Sequence, residues 1–210
     1  MHCNRDNNKM FAPNYNNRIK CEFFYNETAS IARELIGKVL VRKINDSITL
    51  AGRIVETEAY LAVGDGASHS YPGLTKRNKA MFEAAGILYV YKIYGVHHCI
   101  NIVTEPNNIG AAVLLRSLEP ISGIDEMIRN RSITKIENLC RGPGNLAKAF
   151  GFSLENNFSS LNEPELFIDP GFLRKAEEIG QSTRIGISKS AELELRYFLK
   201  NSSYVSGKNK

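Results

Sequence analysis

Apolar positions along this chain fall mostly into short β-rich runs, interrupted by a few stripes of helical spacing. Thr28 to Gly37 places Ile31, Ala32, Leu35 and Ile36 on one stripe, which predicts a helix with Thr28 as its cap and Gly37 as its stop. Val39–Arg42 and Ile48–Leu50 read as short strands around a turn at Asn45 and Asp46, leading into Ile54–Tyr60. That run is β-branched and aromatic, with no Gly or Pro until Gly64, and alternation puts Ile54, Glu56, Glu58 and Tyr60 on one face. Two carboxylates and a phenol in an apolar setting are costly to bury without partners, so this face is a candidate site. Gly64 and Gly66 let the next loop fold back and bring His69 toward it. A structural salt bridge at Glu58 and a satisfied hydrogen bond at His69 explain the same residues equally well.

Ile87–Tyr94 (ILYVYKIY) and His97–Val103 (HHCINIV) flank Gly95 and Val96 and predict a β-hairpin. Alternation sends Tyr89, Tyr91 and Ile93 to one face and Leu88, Val90, Lys92 and Tyr94 to the other, so Tyr91 faces a pocket that Tyr94 does not share. At the tip beside a glycine, Tyr94 has the form of a wedge for a base stack; a half-buried strand tyrosine is the plainer reading. Ala111–Arg116 (AAVLLR) is a buried strand ending in a charge that needs a carboxylate or phosphate, and Glu58 is a candidate partner. Short helices follow at Ile124–Arg129, introduced by Ser122, and within Arg141–Gly151, where Leu146, Ala149 and Phe150 form the stripe. The backbone amides at the start of the second could hold a phosphate. Arg184–Ile187 and Arg196–Leu199 read as closing strands. The expected fold is α+β: a single mixed domain over 28–206 with a central, largely antiparallel curved sheet, a protruding hairpin and surrounding helices. A flexible arm is expected over 1–27 and a frayed tail over 207–210.

Composition narrows the class. Hydrophobic residues at 43% and charged residues at 23% are in the soluble globular range, and no apolar run has the length of a membrane span. Cys3, Cys21, Cys99 and Cys140 have no CxxC spacing, which points to reduced thiols in a cytosolic compartment and away from a disulfide frame or zinc site. His97, His98 and Cys99 are adjacent, but successive strand residues diverge, so they make no common metal site. The net charge of +5 hints at a polyanion partner. Its distribution says more: Ser153–Gly180 carries six acids against two bases, whereas the last thirty residues carry six bases against two acids.

Three blocks in order resemble the alkyladenine (3-methyladenine, or 3-methylpurine) DNA glycosylase family: RIVETEAYLAVGDGASHS, then TKRNKAMF with LYVYKIYGVHHCINIV, then AAVLLRSLEP followed by GPGNLAKA. RIGI at 184–187 is similar to the family's last core strand. The resemblance implies a monofunctional base-excision repair enzyme that flips alkylated or deaminated purines out of duplex DNA and hydrolyses their N-glycosidic bonds, leaving an abasic site. By position it implies Glu58 as general base, with Arg116 and the backbone carbonyl of Ile185 holding the attacking water. Tyr60, His69 and Tyr91 are the aromatic walls around the flipped base, and Asn101 is the side chain that disfavours the amine of guanine. Tyr94 enters the minor groove, and Val96, His97, Thr75 and Arg77 are DNA contacts. It implies a monomer with no metal or cofactor, acting in the cytoplasm with the chromosome, or in a nucleus or organelle if the source is eukaryotic. The chain departs from the family at Gly66, Leu74 and Lys76, changes that bear on loop rigidity and a polar or phosphate contact.

The chemistry fits these residue types. Cleaving a purine from deoxyribose builds positive charge on the sugar, which one ionised Glu stabilises while taking a proton from water. A purine alkylated on a ring nitrogen is already a good leaving group. Stacking tolerates different ring shapes, so selectivity rests on exclusion by Asn101 and on the easier extrusion of weakly paired lesions. The competing reading is a module that binds damaged DNA without cutting it. A zinc nucleobase deaminase lacks its paired cysteines here.

Overall fold

In the computed structural model, which describes residues 12–207, a twelve-residue strand is the axis of the molecule. The strands are β1 (Val39–Lys43), β2 (Thr49–Tyr60), β3 (Leu88–Ile93), β4 (His97–Thr104), β5 (Ala111–Ser122), β6 (Asn162–Glu163), β7 (Leu166–Asp169), β8 (Ile179–Ser182) and β9 (Arg196–Leu199). Every pair is antiparallel, in the order β3-β4-β5-β2-β1-β7-β6. β2 lies along β5 on one edge; on the other it pairs with β1 through its first half and with β9 through its second, and β9 pairs in turn with β8. The result is a curled antiparallel sheet with a few short helices, a mixed α+β fold. Both edges of β2 are paired, so the carboxylates in its buried second half take their partners from neighbouring side chains and from loop amides.

The β2–β5 ladder is irregular where those carboxylates sit. The register shifts between Ile54 and Glu56 and again between Glu56 and Thr57, leaving Val55 and Arg116 without Cα partners across the pair. Bulges of this kind re-aim side chains. Arg116 and Ser117, which a regular strand would send to opposite faces, both reach the Glu56 carboxylate.

One contiguous core runs from Phe24 to Val205 and includes Ile31, Leu35, Leu40, Ile54, Ile100, Leu115 and Phe150. Each such aliphatic side chain, fully removed from water, contributes roughly 1.5–3 kcal/mol. Helix α1 (Thr28–Glu34) lays Ile31 and Ala32 into it and ends at Glu34 with Leu35 as its C-cap, short of the expected stop at Gly37, which completes the turn that follows with a φ of +89°. Its cap is Glu27, whose carboxylate accepts the amides of Ala29 and Ser30; Thr28 is buried instead and bonds Thr104. Helix α2 (Ile124–Arg131) starts at Gly123, not Ser122, and α3 (Pro143–Ala149) buries Leu146, Ala147 and Ala149.

Three further expectations are corrected. Ile48–Leu50 is no separate strand but merges into β2. Arg184–Ile187 is a loop, and the closing strand beside β9 is β8. The Arg184 side chain turns inward to a buried acid and Gly186 has a φ of +78°, which breaks the extended run. The loose arm does not describe residues 12–27: Tyr15–Asn17 and Cys21–Tyr25 form 3-10 turns, Phe24 is buried, and the Ile19 amide donates to Ile168. Residues 1–11 of that arm, Cys3 among them, and 208–210 of the tail lie outside the described residues. No helix among the described residues is long and apolar enough to cross a membrane.

Candidate active site

The middle of β2 supplies the floor of the site. Glu58 is wholly buried, and its Oε1 accepts the Ile185 backbone N–H at 2.7 Å. Its Oε2 accepts the Tyr60 hydroxyl at 3.0 Å and faces Arg116 Nη1 at 3.2 Å. A carboxylate offers about four lone-pair positions, and these three partners occupy three of them. Burial raises the Glu58 carboxyl above the ordinary glutamate range, while Arg116, the Ile185 amide and the Tyr60 hydroxyl pull it back. The expected partnership of Arg116 with Glu58 is present. Ile185 meets Glu58 through its amide.

Above this floor opens a cavity of about 350 Å³, within the size range of small-ligand sites. Tyr60, His69, Tyr91, Asn101, Arg116 and Ile185 line it; Glu58 lies just behind Tyr60, Arg116 and Ile185. His69 and Tyr91 meet edge to face with centroids 4.5 Å apart, too close for a ring to enter between them, so they form one wall together. Tyr89 extends that wall, 5.3 Å from Tyr91, and its hydroxyl lies 2.9 Å from His69 Nδ1. Burial, with Arg77 nearby, lowers the His69 pKa and keeps the imidazole neutral at neutral pH. Burial and neighbouring groups raise Tyr60 and Tyr91, so both phenols stay protonated. Asn101 is fixed by its amide donating to the Tyr89 carbonyl at 3.0 Å.

The hairpin tip differs from the strand reading in one respect. Tyr94 lines the cavity mouth together with Ile93, although alternation assigns it to the opposite face. Tyr94 is not in the strand: it and Gly95 have φ of +50° and +71°, and the Val96 amide returns to the Ile93 carbonyl, so the turn is Tyr94-Gly95-Val96. Its ring is 85% exposed, projecting from the tip. Tyr89, Tyr91 and Ile93 do share the cavity face, as their spacing requires.

Not every expected residue gathers at the cavity. Val96 and His97 border a separate recess beside α3, where His97 rests against Gly144. Thr75 caps the turn at Asn78, with its amide donating to Asn78 Oδ1 at 2.6 Å. Arg77 lies 5.7 Å over the Tyr91 ring and donates to the Lys92 carbonyl, tying its loop to the hairpin.

Sequence reasoning missed a clamp on the two loops that wall the cavity. Asp65 and Arg184 form a fully buried pair at 2.6 and 2.7 Å, and Arg184 also reaches the Ala59 carbonyl and lies 4.6 Å over the Tyr60 ring. Asp65 accepts the Leu61 and Ala67 amides besides. No local pattern marks a partnership across 119 residues. Tyr89 was within reach, two residues from Tyr91 in a strand. Among the described residues no three His, Cys, Asp or Glu side chains come together as a metal site would require.

The geometry therefore offers a covered carboxylate behind an aromatic cavity open at a protruding hairpin. Residues 22–203 match the family model described as methylpurine-DNA glycosylase. Relatives include proteins named "Putative 3-methyladenine DNA glycosylase" from three sources. The one from Chlorobium phaeobacteroides strain BS1 is 45% identical over 187 residues, 89% of this chain and 94% of that protein. The one from Methanoculleus marisnigri is 46% identical over 188 residues, 88% of this chain and 96% of that protein. The one from Francisella tularensis strain SCHU S4 is 44% identical over 185 residues, 87% of this chain and 95% of that protein.

Proposed function

The chain belongs to the methylpurine-DNA glycosylase family, and from that premise we propose that it excises 3-methyladenine and related damaged purines from duplex DNA by hydrolysis, without a covalent enzyme intermediate. The observation that carries the mechanism is the covered Glu58 carboxylate, paired with Arg116 beneath an aromatic cavity.

The damaged nucleotide turns out of the stack, Tyr94 fills the gap it leaves, and the base enters beside the wall of His69, Tyr89 and Tyr91 with Tyr60 at the floor. A neutral His69 next to electron-rich phenol rings suits a cationic methylated purine, which gains a cation–π contribution without meeting a like charge. Water at the open position of Glu58 attacks C1′ of the deoxyribose. The C1′–N bond breaks, its electron pair leaves with the purine, and the water proton passes to Glu58 and on to solvent or the departing base. Arg116 and the Ile185 amide keep Glu58 fixed. Asn101, held by Tyr89, excludes the amine of guanine. Thr75, Arg77, Val96 and His97 contact the strands around the lesion, and the enzyme acts as a monomer over the domain 28–206. Hypoxanthine and ethenoadenine are further substrates, with extrusion from weak pairs setting the order.

Duplexes carrying 3-methyladenine, ethenoadenine or hypoxanthine, followed by chromatography for free base, test this reading. The wild type releases base, and Glu58→Gln binds the same duplex while excising roughly 100-fold or more slowly. Binding with no base release by the wild type would establish the non-cutting module instead.

A further inference from the structure

Behind the cavity lies a second carboxylate that this reaction does not use. Glu56 is wholly buried, two residues before Glu58 on β2, and is not part of the cavity wall. Its Oε1 accepts from Arg196 Nε at 2.7 Å and Arg116 Nε at 3.2 Å. Its Oε2 accepts from the Ser117 hydroxyl at 2.8 Å and the Ser206 amide at 2.7 Å. Four donors fill the capacity of a carboxylate, so Glu56 has no position left for water or substrate.

The charges alternate along Arg196, Glu56, Arg116 and Glu58. Arg116 is the shared member: Nε on Glu56, Nη2 on the Ser206 hydroxyl at 3.3 Å, and Nη1 toward Glu58. A guanidinium is a planar fork, so holding Nε and Nη2 from behind determines where Nη1 points. Arg196 Nη2 donates to the Ser206 carbonyl at 2.9 Å, which locks the C-terminal segment into the same cluster.

We infer that Glu56 is a positioning residue for excision: backed by Arg196 and Ser206, it aims Arg116 at Glu58 and shares the charge of Arg116 with it. The inference rests on Glu58 being the base. Without Glu56, Arg116 would face Glu58 alone, stabilise its ionised form and make it a weaker base. The other groups facing Glu58 are Tyr60 on β2, Arg184 in the adjoining loop and Cys99 on β4. Of the charged neighbours of Glu58 only Arg116, among the described residues, also touches Glu56, and Arg196 acts on Glu58 through Glu56.

The test is the pH–rate profile of single-turnover excision by the wild type, Glu56→Gln and Arg196→Gln, with a carbon-13 NMR titration of the Glu58 carboxyl in each. Glu56→Gln is expected to excise about 10- to 100-fold more slowly, the order of loss that a small misplacement of a catalytic group brings, with its duplex affinity unchanged. Its acid limb moves to lower pH. In Arg196→Gln the limb moves to higher pH, because the charge of Glu56 is then less neutralised. Opposite shifts are not an effect of loosened packing. A wild-type rate with an unmoved limb in Glu56→Gln, or limbs moving the same way, overturns the inference. Should Glu56→Gln fail to fold, Arg196→Gln decides alone: an upward shift supports the role of Glu56, and no shift overturns it. A wild type that releases no base defeats the glycosylase reading, and the NMR titration then still decides how Glu56 acts on Glu58.

Discussion

In the proposed mechanism a single side chain, Glu58, has opposing demands on it: it must be ionised to take a proton and buried to sit beneath the cavity. Burial raises its folded pKa above the ordinary value of 4.5, with Arg116 the chief opposing influence. The folded state therefore holds the Glu58 proton to higher pH than the unfolded chain does. Its contribution to folding is unfavourable above the folded pKa and is relieved as pH falls through that pKa toward the unfolded one. Two results follow at this scale. The acid limb of the excision rate lies above the range of an unperturbed glutamate, which a pH–rate profile measures. Glu58→Gln, which leaves Arg116 paired with Glu56, melts no lower than the wild type at pH 7. A fall in Tm of more than about 4 °C, the shift 1 kcal/mol makes in a chain of this size, would contradict this.

At the scale of elements, the cavity depends on two loops and a hairpin whose positions come from long-range pairings. The Asp65–Arg184 pair joins the loop after β2, which carries His69, to the loop whose Ile185 amide holds Glu58. Removing one partner of a buried pair strands the other charge, so Arg184→Met is expected to lower unfolding stability by about 3–5 kcal/mol in urea titrations. The hairpin is different because its tip is exposed and contributes little to the core. Tyr94→Ala keeps the melting temperature but slows excision from fully paired duplex more than from a substrate whose lesion is already unstacked; equal slowing on both would remove the wedge role.

For the whole molecule, sheet order separates the charges. The hairpin of β3 and β4 is at one end of the sheet, whereas Glu163, Glu165 and Asp169 lie on or beside β6 and β7 at the other. Arg77 and Lys92 stand near the cavity mouth, and Lys148 borders the recess next to the hairpin. DNA affinity is therefore expected to fall steeply with salt, and Arg77→Ala to reduce the slope of log K against log salt by about one if Arg77 contacts a phosphate. An unchanged slope in a fluorescence-anisotropy titration would take Arg77 off the DNA path.

The sequence by itself determined which residues share a strand face, because a period of two is a local property of the backbone. Glu56, Glu58 and Tyr60, and Tyr89, Tyr91 and Ile93, could be assigned from it, whereas the bulge after Ile54 interrupts the alternation there; the blocks carrying them also pointed to the family. Beyond the Arg116–Glu58 pairing, which the sequence offered, the tertiary structure alone decided what those faces meet. The register shifts that turn Arg116 and Ser117 to one carboxylate, the Asp65–Arg184 clamp, and the closure of Ser206 onto Glu56 join residues 60 to 150 positions apart. Such pairings leave no local trace, because a buried charge determines only that it must have a partner and not where along the chain that partner lies. Tyr94 belongs to the same group: alternation assigned its face, and two left-handed residues in the turn reversed it.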